Sequence, residues 1–302
     1  MGIGNAETSS VETAPAQPCT STGRLLGALV CAILALAPFG YLGILAGVAV
    51  HEVIGHGLTS LAVGGEFLAF QLDFDGMGYA IVPLKDSTGG WRRAVVLSGG
   101  VVATFVFGLA LFLGGYGLRR RPWAALPLII VSFGLLMDGI PYIFWNALKP
   151  VPPGDVGKVI EMTGSSLLRV VLIVVGGLSM IAITWAFTTL LFAILQSWLS
   201  VANELQNKAR LLLLALIGVI SGIAWFTFDW NQLVPGIGFI PSFTGLILHL
   251  AAAASLLLVR PRLLPLGSTR GIGLAALVGW GLAGISIAAI ATWFRQGIFF
   301  FA

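Results

Sequence analysis

Two of the three histidines in this chain fall in one hexapeptide, His51-Glu52-Val53-Ile54-Gly55-His56, inside a long apolar run. Neutral imidazoles bind Zn2+ through nitrogen, and a third protein ligand with a water completes a tetrahedral catalytic site. The metal brings the acidity of that water close to neutral pH. A carboxylate beside the first histidine can take the proton from the water and later give it to a leaving amine. That is the logic of the His-Glu-x-x-His helix, and it makes His51 and His56 metal ligands and Glu52 the general base.

The spacing departs from that motif by one residue, because His56 stands at i+5 from His51. On a regular α-helix, side chains at i+4 lie about 40° apart and those at i+5 about 140° apart. Two ligands so divergent do not share one ion. A one-residue π-bulge brings them back to one face, such bulges occur at functional sites, and Gly55 tolerates the distortion best. The zinc reading therefore predicts a bulge near Gly55. A lone histidine in an apolar helix is more often a hydrogen-bonded packing residue. Two with a glutamate favour metal, because an unpaired acid in a membrane is costly.

Stepping out from the hexapeptide, the 302 residues are 58% hydrophobic and 9% charged, with a mean hydropathy of +1.00. Soluble domains carry about 25% charged residues, so this chain cannot cover a water-facing surface. The net charge of +4 is spread in short clusters between apolar runs, as membrane topology expects, and gives no sign of nucleic-acid binding. Cys19 and Cys31 form neither a disulfide framework nor a cysteine metal site. Residues 1–23, rich in Ser, Thr, Ala and Pro, read as a disordered polar tail. Arg24, the apolar run after it and Ala35-Leu36-Ala37 imitate a signal peptide, but Pro38 and the long polar lead argue against one.

Apolar runs at 25–62, 94–117, 123–148, 166–196, 209–228, 242–259 and 272–294 predict an all-α polytopic membrane protein. As one helix, 25–62 would measure roughly 57 Å against a hydrocarbon core of about 30 Å, and Pro38, Gly40 and Gly43 interrupt it. The count is therefore seven or eight transmembrane helices. Between them, residues 66–83 hold two strand-like runs around Asp75-Gly76, which predicts a short β-hairpin directly after the His-bearing helix. Two spans separate loop 64–93 from loop 149–165, so both loops face the same side. The hairpin could pair with an extended substrate strand or simply cover the site. The basic residues divide too evenly to set the orientation.

His51-Glu52-Val53-Ile54-Gly55-His56 looks like the zinc hexapeptide of the dipeptidyl peptidase III family, a soluble family with nothing else in common with this chain. Over residues 40–165 the chain resembles the site-2 protease family of intramembrane zinc metallopeptidases, in its small bacterial branch. The matching segments are the hexapeptide with Gly57, Ala62-Val63-Gly64-Gly65, Asp73-Phe74-Asp75-Gly76 and Leu97-Ser98-Gly99-Gly100. The extra residue between the histidines is its departure from the pattern. The resemblance implies a third zinc ligand from an aspartate after a later span. Asn146-Ala147-Leu148-Lys149-Pro150 leading to Pro153-Gly154-Asp155 marks Asp155 as that counterpart. Parity agrees, since loop 149–165 lies on the side to which the His-bearing helix runs. The bland alternative is a turn whose Asp155 caps a helix. Asp138, in Met137-Asp138-Gly139, and His249 are the competing third ligands. By the same resemblance Asn146 binds substrate backbone, although an asparagine at a helix end is commonly a cap.

These features predict an intramembrane zinc metallopeptidase that hydrolyses a peptide bond of a membrane-embedded or juxtamembrane substrate, with a zinc-activated water and Glu52 as base. Residues 24–165 would form the metallopeptidase core, and 166–302 further transmembrane helices of no assigned role. The bilayer and a membrane-protein substrate are the expected partners, and the resembling branch implies a bacterial cytoplasmic membrane. The alternative is a non-enzymatic membrane protein, a metal transporter or a scaffold with a degenerate metal site, which the i+5 spacing favours. A transporter needs ionisable positions along its pathway, and runs 166–196 and 209–228 offer almost none. Haem is disfavoured, because His51 and His56 lie too close on one helix to clamp it from opposite faces.

Overall fold

A computed structural model describes residues 39–40, 42–72, 78–84, 90–148, 154–199, 282, 286, 289 and 298–299. The polar tail 1–23, the runs 209–228 and 242–259, nearly all of 272–294, and His249 lie outside the described residues. Among the described residues, four helices are long and apolar enough to cross a membrane: Leu42–Ala62, Gly90–Gly117, Pro122–Leu148 and Ser166–Leu191. They correspond to the first four apolar runs of the sequence.

The first span, α1 (Leu42–Ala62), carries the hexapeptide. Its middle is π-helical from Val50 to Leu58. The sequence demanded one extra residue in a turn; the backbone spreads the distortion over nine residues. Gly64 follows with φ of 81°, a left-handed residue of the kind that ends helices. The Gly65 N–H donates to the Ser60 carbonyl at 2.8 Å, and Ser60 Oγ donates to the Glu66 carbonyl at 3.0 Å. These bonds turn the chain into the hairpin.

Strands β1 (Ala69–Leu72) and β2 (Gly78–Ile81) pair antiparallel, with Ala69 opposite Ile81 and Leu72 opposite Gly78. Phe67, Phe70 and Leu72 bury against Leu45, with Val48 and Val53 packed around them, so the hairpin lies along the site helix. The sheet differs from the expected two-stranded hairpin. A third strand, β3 (Ile298–Phe299), pairs with the far edge of β1 through Ala69–Phe299 and Phe70–Ile298. No local signal in the sequence reports that return, because it joins segments far apart in the chain.

Helix α2 (Gly90–Gly117) buries Val96, Gly100, Thr104 and Gly108, a stripe of every fourth residue. Small residues let membrane helices approach closely, and α1 uses this fully. A Cβ on Gly55 would fall on the backbone of Gly99 and Gly100. Expected as one helix, 123–148 is two: α3 (Pro122–Met137) and α4 (Ile140–Leu148). Pro141 lacks the N–H that would reach back to the Met137 carbonyl. The next carbonyl, that of Asp138, accepts a bond from Thr104 Oγ1 of α2 at 3.1 Å. Helix α5 (Asp155–Thr163) ends at Gly164, and α6 (Ser166–Leu199) follows. A Cβ on Gly90 would lie 3.3 Å from Met162 Cε. The two loops meet on one side, as the parity of the spans predicts.

Candidate metal centre

The π-helical turn decides where the histidines point. In it the backbone bonds from i to i+5, so residues five apart stack as residues four apart do on an α-helix. The His51 and His56 rings accordingly lie 4.9 Å apart, edge to face at 74°. Both are buried. The crossing at Gly55 and Gly100 presses His51 into place, because a Cβ on Gly100 would occupy the imidazole.

Asp155 reaches the same point from α5. Val156 and Ile160, the buried face of that helix, pack with Val101 of α2 and Ala147 of α4. This sets the first residue of α5 above the histidines. Asp155 Oδ2 lies 3.3 Å from His51 Nε2 and 3.0 Å from His56 Nε2. The donor atoms of the three residues fall within 4.8 Å of one another. Ligand atoms about 2.1 Å from one zinc ion at tetrahedral angles stand about 3.4 Å apart, close to both Asp155 contacts. Two neutral nitrogens and one carboxylate oxygen fit a divalent ion.

The other ring nitrogens are also engaged. His51 Nδ1 donates to Asp138 Oδ2 at 3.1 Å, and His56 Nδ1 donates to the Val96 carbonyl at 2.8 Å. Metal-ligating histidines characteristically make such a bond on the ring nitrogen facing away from the ion, and here it leaves both Nε2 lone pairs facing Asp155. Asp138, a rival third ligand by sequence, sits on the far nitrogen of His51. The bend between α3 and α4 delivers it there.

Burial opposes ionisation of Asp155, yet without an ion, when the rings of His51 and His56 are protonated at Nε2 as well, their hydrogen bonds and positive charge outweigh it. The carboxyl is held well below its ordinary value of 3.8. Lys158 Nζ stands 3.7 Å from the other oxygen, Asp155 Oδ1. Glu52, the middle residue of α1, is half-buried beside β2. A Cβ on Gly78 would stand 3.7 Å from Glu52 Cγ.

The sequence does not report the roles of three further participants. The Val96 carbonyl is backbone and leaves no signature. Gly100 belongs to the quoted Leu97-Ser98-Gly99-Gly100, but its contact with His51 follows from the helix crossing alone. Tyr142 of α4 sets its ring against His51, with centroids 5.5 Å apart at 77°. Its signal was position: it lies four residues before Asn146, on the same helical face. Asn146 is buried. Its Nδ2 donates to the Tyr142 carbonyl at 3.1 Å, and its Oδ1 closes on Gly154, next to Asp155.

Comparison with known proteins gives one match. The pattern of the Peptidase M50B-like family fits residues 25–138, which include His51, Glu52, His56 and Asp138 and stop short of Asp155. No curated protein and no solved structure matches the chain. Over those residues the chain is similar to M50B-like peptidases.

Proposed function

We propose that this protein is an intramembrane zinc metallopeptidase. It hydrolyses a peptide bond in a membrane-embedded or juxtamembrane segment of another protein, and its home is a bacterial cytoplasmic membrane. One observation carries the reading: His51 Nε2, His56 Nε2 and Asp155 Oδ2 converge while Asp138 and Val96 occupy the opposite ring nitrogens. The likeness of residues 25–138 to M50B-like peptidases supports it. The objection from the i+5 spacing, which favoured a degenerate site, loses its force once the turn is π-helical.

His51, His56 and Asp155 hold the ion, and Asp138 and Val96 keep both imidazoles in the tautomer that offers Nε2. Zinc at these atoms supplies Lewis-acid polarisation and brings the acidity of water toward neutral pH. The Glu52 carboxylate takes a proton from the attacking water and passes it to the amine nitrogen of the departing chain. The scissile segment must be extended at the site, since an α-helix hides its peptide bonds. Residues 24–165 form the core of this machinery.

The test is zinc per chain and proteolysis in the purified protein and two variants. One zinc per chain is expected in the wild type and in Glu52→Gln, and none in His56→Ala. Glu52→Gln should slow cleavage of reconstituted transmembrane substrates by about 10²- to 10⁴-fold. A wild-type protein without zinc overturns the reading, and so does a Glu52→Gln variant that cleaves at the wild-type rate.

A further inference from the structure

As water adds to a peptide carbonyl, negative charge gathers on the carbonyl oxygen, and hydrolases place a hydrogen-bond donor there. Among the described residues, Tyr142, Asn146 and Lys158 bring side-chain donors to the His51–His56–Asp155 cluster. Asn146 directs its Nδ2 into its own helix, at the Tyr142 carbonyl. Lys158 faces Asp155 Oδ1, and its side chain is 47% exposed. Neither is aimed across the cluster.

Tyr142 is differently placed. Its ring stands edge to face with the first metal-binding imidazole. Its hydroxyl reaches the residue before Asp155: a Cβ on Gly154 would stand 2.9 Å from Tyr142 Oη. The phenol therefore spans the cluster from His51 to the start of α5. Asn146 Oδ1 closes on the same point of Gly154, beside the hydroxyl. A hydroxyl offers one donor and two acceptor sites, so it can accept from a neighbour and still donate to a ligand. The ring packs beside Val101, Ala147, Val156 and Ile160 and has little room to swing away.

We propose that the Tyr142 hydroxyl donates the hydrogen bond that receives the carbonyl oxygen of the peptide bond under attack. The assignment rests on the peptidase reading above. It makes Tyr142 a catalytic residue. It also explains Gly154, whose missing side chain leaves the space where Tyr142 Oη and Asn146 Oδ1 sit.

The experiment compares the full-length, zinc-loaded wild type with Tyr142→Phe in detergent micelles. Zinc per chain is measured by elemental analysis, and acetohydroxamate affinity by calorimetry. Acetohydroxamate binds zinc and presents a carbonyl-type oxygen to any donor beside it. The expected result is one zinc per chain in both proteins and hydroxamate binding weakened about tenfold or more in the variant, as for loss of one hydrogen bond to a charged group. With a cleavable transmembrane substrate, kcat should fall about 100-fold at nearly constant KM. Equal hydroxamate affinity with zinc intact overturns the assignment to Tyr142 and leaves the metallopeptidase reading standing. Loss of zinc in Tyr142→Phe also overturns it, since the ring would then act by bracing His51. A wild type that holds no zinc overturns both.

Discussion

Asp138 touches the proposed metal position only through the imidazole of His51. A carboxylate so placed raises the basicity of the ligand and holds its ring in orientation, and losing such a partner costs about 10- to 100-fold in metal affinity. Asp138→Asn should weaken zinc binding by that factor, measured by competition with a chromogenic chelator, and Asp155→Asn should weaken it far more. Equal effects would mean that both aspartates ligate. Acidity separates them too. A carboxyl depressed in the folded state contributes stability above its unfolded value, and that contribution is lost as pH falls through the folded value. For Asp155 the loss begins below about 3.8. The chelated protein should melt at progressively lower temperature under that pH, and Asp155→Asn should flatten this part of the curve.

At the scale of the helices, the distinguishing element is the π-helical turn from Val50 to Leu58 pressed against Gly99 and Gly100. Gly100→Ala drives a methyl group into the His51 ring. Overpacking of this kind costs about 1–3 kcal/mol. The variant should insert in membranes yet melt several degrees lower and bind zinc weakly; unchanged zinc affinity would mean that the helices separate without cost. The turn invites the opposite manipulation. A π turn holds one residue more than an α turn, so deleting Ile54 returns the histidines to i+4 spacing. If the π turn exists to align them, that deletion should keep zinc binding, whereas deleting Ile44, outside the π segment, should not.

Across the whole molecule, what could be read from the sequence was what single residues and short periods encode. Two histidines in one apolar run marked the cluster that Asp155 completes, and the i+5 interval announced the π distortion. Runs of apolar residues announced the first four spans. Asp155 came from family likeness, with the order of loops in agreement. What escaped was set by tertiary contact. The role of Asp138 depends on which nitrogen of His51 it meets. An aromatic such as Tyr142 in an apolar span reads as packing until its neighbours are known. Strand β3 pairs with a segment at the other end of the chain, and neither segment predicts the other. That pairing is testable: with Cys19 and Cys31 changed to Ser, cysteines at Phe70 and Ile298, which face each other in the register, should cross-link under mild oxidant. A pair at Phe70 and Ile194 should not.

Strand β3 also fixes an order of events during synthesis. A membrane protein is threaded into the bilayer as it is made, so the hexapeptide and the hairpin leave the ribosome long before residues 298–299. Until they arrive, the outer edge of β1 offers unpaired backbone to any passing strand, next to the candidate metal centre. The nascent chain thus carries an open sheet edge that it later closes with its own late-made residues, and chains that stall before residue 298 would keep it open.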